Sequence, residues 1–197
     1  MKKILLLAVM AIASLGVNAQ NEAGQISLKP MAGINAATLT DWDETSMKIG
    51  FVGGVEAEYG FSEKFSLSAG LLYSMQGTKL DVVEDVDTKV NTSYLNIPVL
   101  ANFYVWKGLA VKAGIQPGIL LSAKTKSEAE GNSAEADLKD NCESLDISIP
   151  VGVSYEISNF VIDARYNFGL TNLAKGDGEG NPKNSVFSLT VGYKFKL

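Results

Sequence analysis

The chain has no histidine, one cysteine and one arginine in 197 residues. Without histidine there is no imidazole base for a Ser-His-Asp or Cys-His nucleophile system, and the usual nitrogen ligand for a metal is missing. Cys142 alone makes no internal disulfide, and with no imidazole to take its proton it is not expected to act as a nucleophile. Beyond the first fifteen residues there is no run of about eighteen apolar residues, so no helical membrane anchor is expected in the remainder. An excess of positive charge is missing as well. The net charge is −5, a sign that argues against nucleic acid as a partner.

What chemistry-bearing groups remain are carboxylates. Glu56 and Glu58 lie two apart on one strand face, a spacing that could serve paired acid–base work; neutralisation of Lys29, Arg165 or Lys112 is the better reading. The segments Asp81–Asp87 and Asp177–Asn181 are acidic and rich in oxygen ligands, yet neither matches a full EF-hand loop, and a solvated acidic surface is preferred over weak Ca²⁺ binding. No catalytic, cofactor-binding or metal-binding residue is therefore expected, and no enzyme.

The first nineteen residues stand apart. Lys2 and Lys3 precede an apolar run from Ile4 to Leu15, and Val17-Asn18-Ala19 places small residues where a signal peptidase reads. This predicts an export signal, residues 1–19, cut after Ala19, leaving one domain over 20–197.

What fills that domain is two-residue alternation. Runs such as Phe65-Leu67-Ala69-Leu71-Tyr73-Met75 and Leu145-Ile147-Ile149-Val151-Val153-Tyr155 recur eight times. Side chains on a strand point alternately to its two faces, so each run makes one face apolar. Strands are predicted over about 25–36, 49–59, 65–76, 93–105, 109–122, 144–156, 160–170 and 185–197. The connections after strands two, four and six are short; those after one, three, five and seven are long, about 37–48, 77–92, 123–143 and 171–184. Within the third long segment, Ser127–Ala136 reads as a loop tip. The long segments hold fifteen acidic residues against eight basic ones, whereas the rest of the chain after residue 19 is balanced. The expected fold is all-β: an eight-stranded antiparallel up-and-down transmembrane barrel with tight periplasmic turns and longer outer loops.

Alternation also suits a soluble barrel around an apolar ligand, so residue types must decide which face looks inward. The non-apolar face is crowded with Ser and Gly, among them Ser66, Ser68, Gly70, Gly114, Gly118, Gly152 and Gly192. Glycine weakens a strand and serves no purpose on a wet surface, but a narrow interior needs it. The small, polar face is therefore placed inside and the apolar face against lipid. On the inner face lie Lys29, Glu56, Glu58, Lys112, Glu156, Asp163, Arg165 and Lys194, four of each sign. Buried charges must pair, so an internal charged plug is expected, with Arg165 near mid-strand; a charged pore is the alternative. Pro30, Pro98, Pro117 and Pro150 fall inside predicted strands, where bulges or register breaks are expected.

Aromatic positions collect at two levels. Tyr59, Phe65, Phe103, Trp106, Tyr155, Phe160, Tyr193 and Phe195 lie toward the short turns, and Phe51, Tyr73, Phe168 and Phe187 toward the long loops. Two girdles of this kind mark the headgroup levels of a membrane. A strand of about eleven residues tilted by about 45° spans about 25 Å, the height of an outer-membrane apolar band.

The segments Tyr94-Leu95-Asn96-Ile97-Pro98, Ala164-Arg165-Tyr166-Asn167-Phe168-Gly169-Leu170-Thr171-Asn172 and Gly192-Tyr193-Lys194-Phe195, with the opening Lys29-Pro30-Met31-Ala32-Gly33-Ile34-Asn35, resemble the PorT-like outer-membrane β-barrel family. The resemblance spans the mature chain. It implies an eight-stranded barrel of OmpA- and OmpX-like architecture in a Gram-negative outer membrane; some members are associated with secretion and gliding machinery. The usual terminal aromatic is displaced here by two residues, since the chain ends Phe195-Lys196-Leu197. The expected role is structural or in surface interaction, as a monomer in outer-membrane lipid with acidic loops offered to other envelope proteins. A transport or secretion role, as a narrow channel or a complex component, is the alternative.

Overall fold

A computed structural model describes residues 22–40, 45–83, 86–129, 132–175 and 181–197. The predicted export signal lies outside them. The elements are β1 (Ile26–Thr40), β2 (Thr45–Gly60), β3 (Phe65–Val83), β4 (Val86–Asn96), β5 (Val99–Trp106), β6 (Leu109–Ala129), β7 (Asn132–Asp137), a 3-10 turn (Lys139–Asn141), β8 (Leu145–Ile157), β9 (Phe160–Gly169), β10 (Lys183–Tyr193) and β11 (Phe195–Lys196). β1 pairs antiparallel with β2, β2 with β3, β3 with β4 and β5, both of these with β6, β6 with β8, β8 with β9 and β9 with β10, while β7 folds back on β6; β1 pairs with both β10 and β11, which closes the sheet on itself. β4 with β5 form one stave and β10 with β11 another, so the ring has eight staves. Closure leaves no sheet edge in the hydrocarbon, where an unpaired N–H or C=O would cost several kcal/mol, on the order of a buried unmade hydrogen bond.

The prolines behave differently from expectation. Pro98 separates β4 from β5, yet the pairing on either side keeps one register, Asn96↔Gly118 and Val99↔Ile115. The ladder also lapses where Pro30 of β1 faces the gap between β10 and β11 and around Pro150, again without slippage. Pro117 stays in register opposite Ile147, and its carbonyl accepts from Ile97 N–H at 2.8 Å. Proline removes a donor but does not add a residue, so bonds are lost while the count across the pair holds. The true register shifts are at Met47/Val52, Leu80/Val83, Ser93/Tyr94 and Tyr104/Trp106.

The long connections also differ from expectation. β1 and β2 continue to leave only 41–44 between them, and β3 and β4 leave only 84–85. Ser127–Ala136, read above as a loop tip, instead supplies the end of β6 and most of β7, paired through Ser127↔Ala134 and Thr125↔Ala136. Above the apolar band both faces of a hairpin can be wet, so the period-two signal disappears while β-branched residues such as Thr38, Thr40, Thr88, Thr92 and Thr125 still favour extension. The short turns are as expected. At Phe61–Lys64 the Ser62 hydroxyl accepts from the N–H groups of Lys64 and Phe65, at 3.3 and 3.1 Å.

Burial is the inverse of a soluble barrel. Leu71 is 51% exposed while Arg165 is 4% exposed. Ile34, Leu67, Val111, Ile115, Val151 and Leu189 all present their side chains outward. That excludes a soluble carrier with an apolar cavity, because water cannot wet a continuous apolar belt of this extent without a large free-energy cost.

Candidate functional site

Inner-face parity brings the eight charged side chains into the lumen, and the closed ring decides which of them meet. Glu56 lies across β1–β2 from Lys29, with an ion pair of 2.8 Å. Its other oxygen reaches across the lumen to Arg165 Nη1 at 2.5 Å. Arg165 turns its Nε and Nη2 onto Asp163, donating at 2.6 and 3.0 Å to the two carboxylate oxygens, a bidentate geometry that only a guanidinium offers. Asp163 also accepts from Lys112 at 2.6 Å. Lys29, Glu56, Arg165, Asp163 and Lys112 thus form one connected chain with three cations and two anions.

The second group lies toward the short turns. Lys194 pairs with Glu58 at 3.4 Å and Glu156 at 3.2 Å. Glu58 accepts from the Tyr104 hydroxyl at 2.6 Å and from Ser66 at 2.7 Å. This group has one cation and two anions. The surplus of each group is the opposite of the other's, so the eight charges balance only when both are present. Glu58 therefore pairs with Lys194 rather than with Lys112, which the sequence had offered as one of its partners.

Long side chains fit a narrow lumen because their neighbours are small. Gly70 stands opposite Glu56, and a Cβ there would approach Glu56 Cγ to 2.6 Å. Gly152 lies between Lys112 and Arg165, paired to both, and a Cβ there would sit 3.0 Å from Arg165 Cγ. These two positions explain why glycine is spent in strand interiors, where it is otherwise unfavourable.

Above the charges, Met31, Val52 and Leu72 form a buried apolar layer inside the lumen. Around it run amide–hydroxyl links: Asn35 donates to Ser74 at 2.8 Å and accepts from Ser188 at 2.7 Å. A cavity of about 20 Å³ between these layers, lined in part by Met31, Leu72, Asp163, Arg165 and Asn167, has the room of about one water molecule.

The third level was not foreseen. At the long-hairpin end, Leu39, Tyr94, Leu120, Ala123, Cys142 and Leu173 form an apolar cluster, with Leu138 packed against it. Cys142 and Leu173 come from two different connections, which bind each other: Glu143 N–H donates to the Leu173 carbonyl at 2.8 Å and Lys175 N–H to the Asn141 carbonyl at 3.0 Å. Thr171 fastens this lid to β8, donating to Asp146 at 2.7 Å while accepting from Ile147 N–H at 2.9 Å. Burial pushes the Cys142 thiol above its ordinary range. Tyr104 and Tyr94 were legible as inner-face positions by parity; Cys142 and Leu173, on connections without periodicity, were not.

The aromatic residues named from the sequence face outward, with Tyr155 half-buried. Several touch: Phe160 with Tyr193 edge to face at 5.2 Å, and Tyr193 with Phe195 at 4.7 Å. Phe61, not among them, bridges Tyr59 and Phe65 with centroids at 4.8 and 5.8 Å. Among the described residues no cluster of His, Cys, Asp or Glu is arranged to hold a metal. The acidic stretch 81–87 lies partly outside the described residues and 177–180 entirely so.

A closed ring of eight staves, apolar outside and polar inside, is the geometry of a membrane barrel. The family model for the outer membrane protein beta-barrel domain matches residues 18–175. The chain belongs to that family. It is accordingly an outer-membrane barrel protein, a family whose members are generally not enzymes. No curated protein matches it by sequence. Among solved structures it is similar to Ail, the attachment invasion locus protein of Yersinia pestis, at 16% identity and a TM-score of 0.50, covering 88% of this chain and 99% of that one. It is similar also to Neisserial surface protein A, at 16% identity and a TM-score of 0.50, covering 86% and 97%. At this identity the likeness speaks for the fold alone.

Proposed function

We propose that this is a closed, non-conducting, non-enzymatic barrel of a Gram-negative outer membrane, PorT-like in kind, which acts through its surfaces rather than its lumen. The observation that carries this reading is occupation of the lumen at three levels: the eight-charge network, the Met31–Val52–Leu72 layer and the lid around Cys142 and Leu173. An ion crossing it would have to break Arg165 from two carboxylates and then pass an apolar layer without its hydration shell. The inner charges serve as a plug, the long hairpins face the cell exterior, and the chain works as a monomer whose acidic connections meet other envelope proteins. Crosslinking from residues 123–143 in cells, with identification of the captured protein, would name that partner.

Planar-bilayer recording on the purified full chain tests the plug. No unitary conductance is expected from the wild type. Steady conductance that Arg165→Ala alters, with the urea unfolding midpoint unmoved, would overturn the reading in favour of a charged path.

A further inference from the structure

The cavity beside Arg165 borders two buried groups that no protein group answers. Its volume is about 20 Å³, with Arg165, Asn167, Ser188 and Thr190 of β9 and β10 on one side and Met31 and Leu72 on the other. The Thr190 hydroxyl, in a side chain only 3% exposed, has no hydrogen-bond partner among the described residues. Nor has the side-chain oxygen of Asn167, 7% exposed, whose nitrogen donates to the Val186 carbonyl at 3.3 Å and to Ser188 at 3.4 Å.

The register shows why the wall cannot satisfy them. Thr190 stands between Gly33 of β1, which has no side chain, and Asp163 of β9, whose oxygens are held by Arg165 and Lys112. Asn167 stands opposite Val186, whose side chain is apolar. Val186 and Thr190 are four residues apart on one strand, a rise of about 13 Å, so the two orphaned groups do not reach each other. Arg165 and Ser188, paired with one another, lie between them. The facing layer of Met31, Val52 and Leu72 offers no polar atom in their stead. Leaving a buried donor or acceptor unmade costs more than an ordinary hydrogen bond contributes.

Charge and size define the occupant. The eight inner charges already balance, so an added ion would stand without a partner in a buried site. An apolar guest would leave both groups unmade. Water donates and accepts at once, and it needs about 10–15 Å³ and two to four polar partners.

We propose that this cavity is a hydration site. Its resident water, one molecule or two in contact, bonds to the Thr190 hydroxyl and to Asn167 Oδ1, and joins the charged network to the amide–hydroxyl layer. Ser188 continues the link, since its hydroxyl donates to Asn35 at 2.7 Å. The presence of the water does not depend on the closed lumen proposed above; its slow exchange with bulk does.

Water-selective NOE and ROE spectra of the isotope-labelled full chain in lipid nanodiscs test this. Cross-peaks from water to the Thr190 methyl and to the Asn167 side-chain amide are expected, with the sign of a bound molecule and not of a diffusing one. Thr190→Val, which exchanges the hydroxyl for a methyl of like size, should lose the cross-peak at position 190, and Thr190→Ser should keep it. Xenon pressure on the wild type needs no variant: a hydrated cavity should leave the Met31 and Leu72 methyl shifts unmoved. Xenon-shifted methyls without water cross-peaks would show a dry cavity and overturn the proposal. So would a cross-peak at position 190 that survives Thr190→Val unchanged. An unfolding midpoint raised by chloride over sulfate at equal ionic strength, and no longer so in Thr190→Val, would give the site to an anion and overturn it as well. Conductance in planar bilayers with the bound-water cross-peaks intact would support the hydration site and overturn the closed lumen alone.

Discussion

Arg165 is the central link of the charged interior. It joins Glu56 on β2 to Asp163 on β9, two carboxylates that each hold a lysine of their own, Lys29 and Lys112. Arg165→Ala should cost about 3–5 kcal/mol, the range for removing one partner of a buried pair. Removing Glu56 in the same background should recover part of this loss, and a double-mutant cycle from urea unfolding in lipid vesicles measures the recovery. Full additivity of the two substitutions would show that the ion pair contributes nothing. Arg165→Lys should not restore stability, since an ammonium has its donors on one atom and lacks the planar fork that grips both oxygens of Asp163 while a third nitrogen reaches Glu56. Gly152 is the complementary case. Valine there would push on the Arg165 stem and on the Ala164 carbonyl, and about 1–3 kcal/mol of destabilisation is expected by the same urea assay, as for an overpacked core.

At the scale of elements, the lipid face of β6 and β8 and the lid make separate claims. Val111 and Val151 project outward at 42% and 46% exposure. Val111→Arg and Val151→Arg should each cost about 2–4 kcal/mol if near the midplane, read as failure of insertion into vesicles; variants that insert and unfold like the wild type would reverse the face. The lid predicts chemistry at Cys142. The thiol is buried, and desolvation raises its pKa, so its deprotonated form is withheld at neutral pH and it should react slowly with maleimide in the native barrel. Raising the pH through the ordinary thiol range should accelerate labelling less than for an exposed cysteine, because the raised pKa delays thiolate formation. Leu173→Asp, which places a charge against the cluster, should open the lid and speed labelling. Labelling of the wild type as fast as the variant would mean that the cluster does not cover the thiol.

The whole molecule is a ring whose two ends differ. Turns such as Phe61–Lys64 are tight, while the opposite end extends in paired hairpins and a lid. With Cys142 removed, a cysteine at position 131 should label on intact cells and one replacing Ser62 should not. Labelling of Ser62→Cys alone would invert the topology. The same asymmetry bears on stability. The charge groups lie toward the turns and the apolar cluster lies at the hairpin end, so denaturants that act on apolar burial should loosen the lid before the barrel, visible as Cys142 labelling ahead of the main urea transition.

Period-two runs were enough to read eight membrane-crossing strands, their inward and outward faces and the short turns between them, because in a strand the face of a side chain depends only on its parity. Composition was enough to turn the barrel inside out relative to a soluble one, since small and charged residues shared the face opposite Leu71, Val111 and Val151. Parity could place Glu58 and Lys112 in the lumen but not say that they take different partners, as pairing across a closed ring depends on register and stagger, which no local pattern encodes. The strand extensions past Met75 and Leu121 were read as loops because the apolar signal stops where lipid stops, although hydrogen bonding between strands does not. The lid was invisible for a related reason. Cys142 and Leu173 lie thirty-one positions apart on aperiodic connections, and their burial exists only once the barrel mouth is there to receive them.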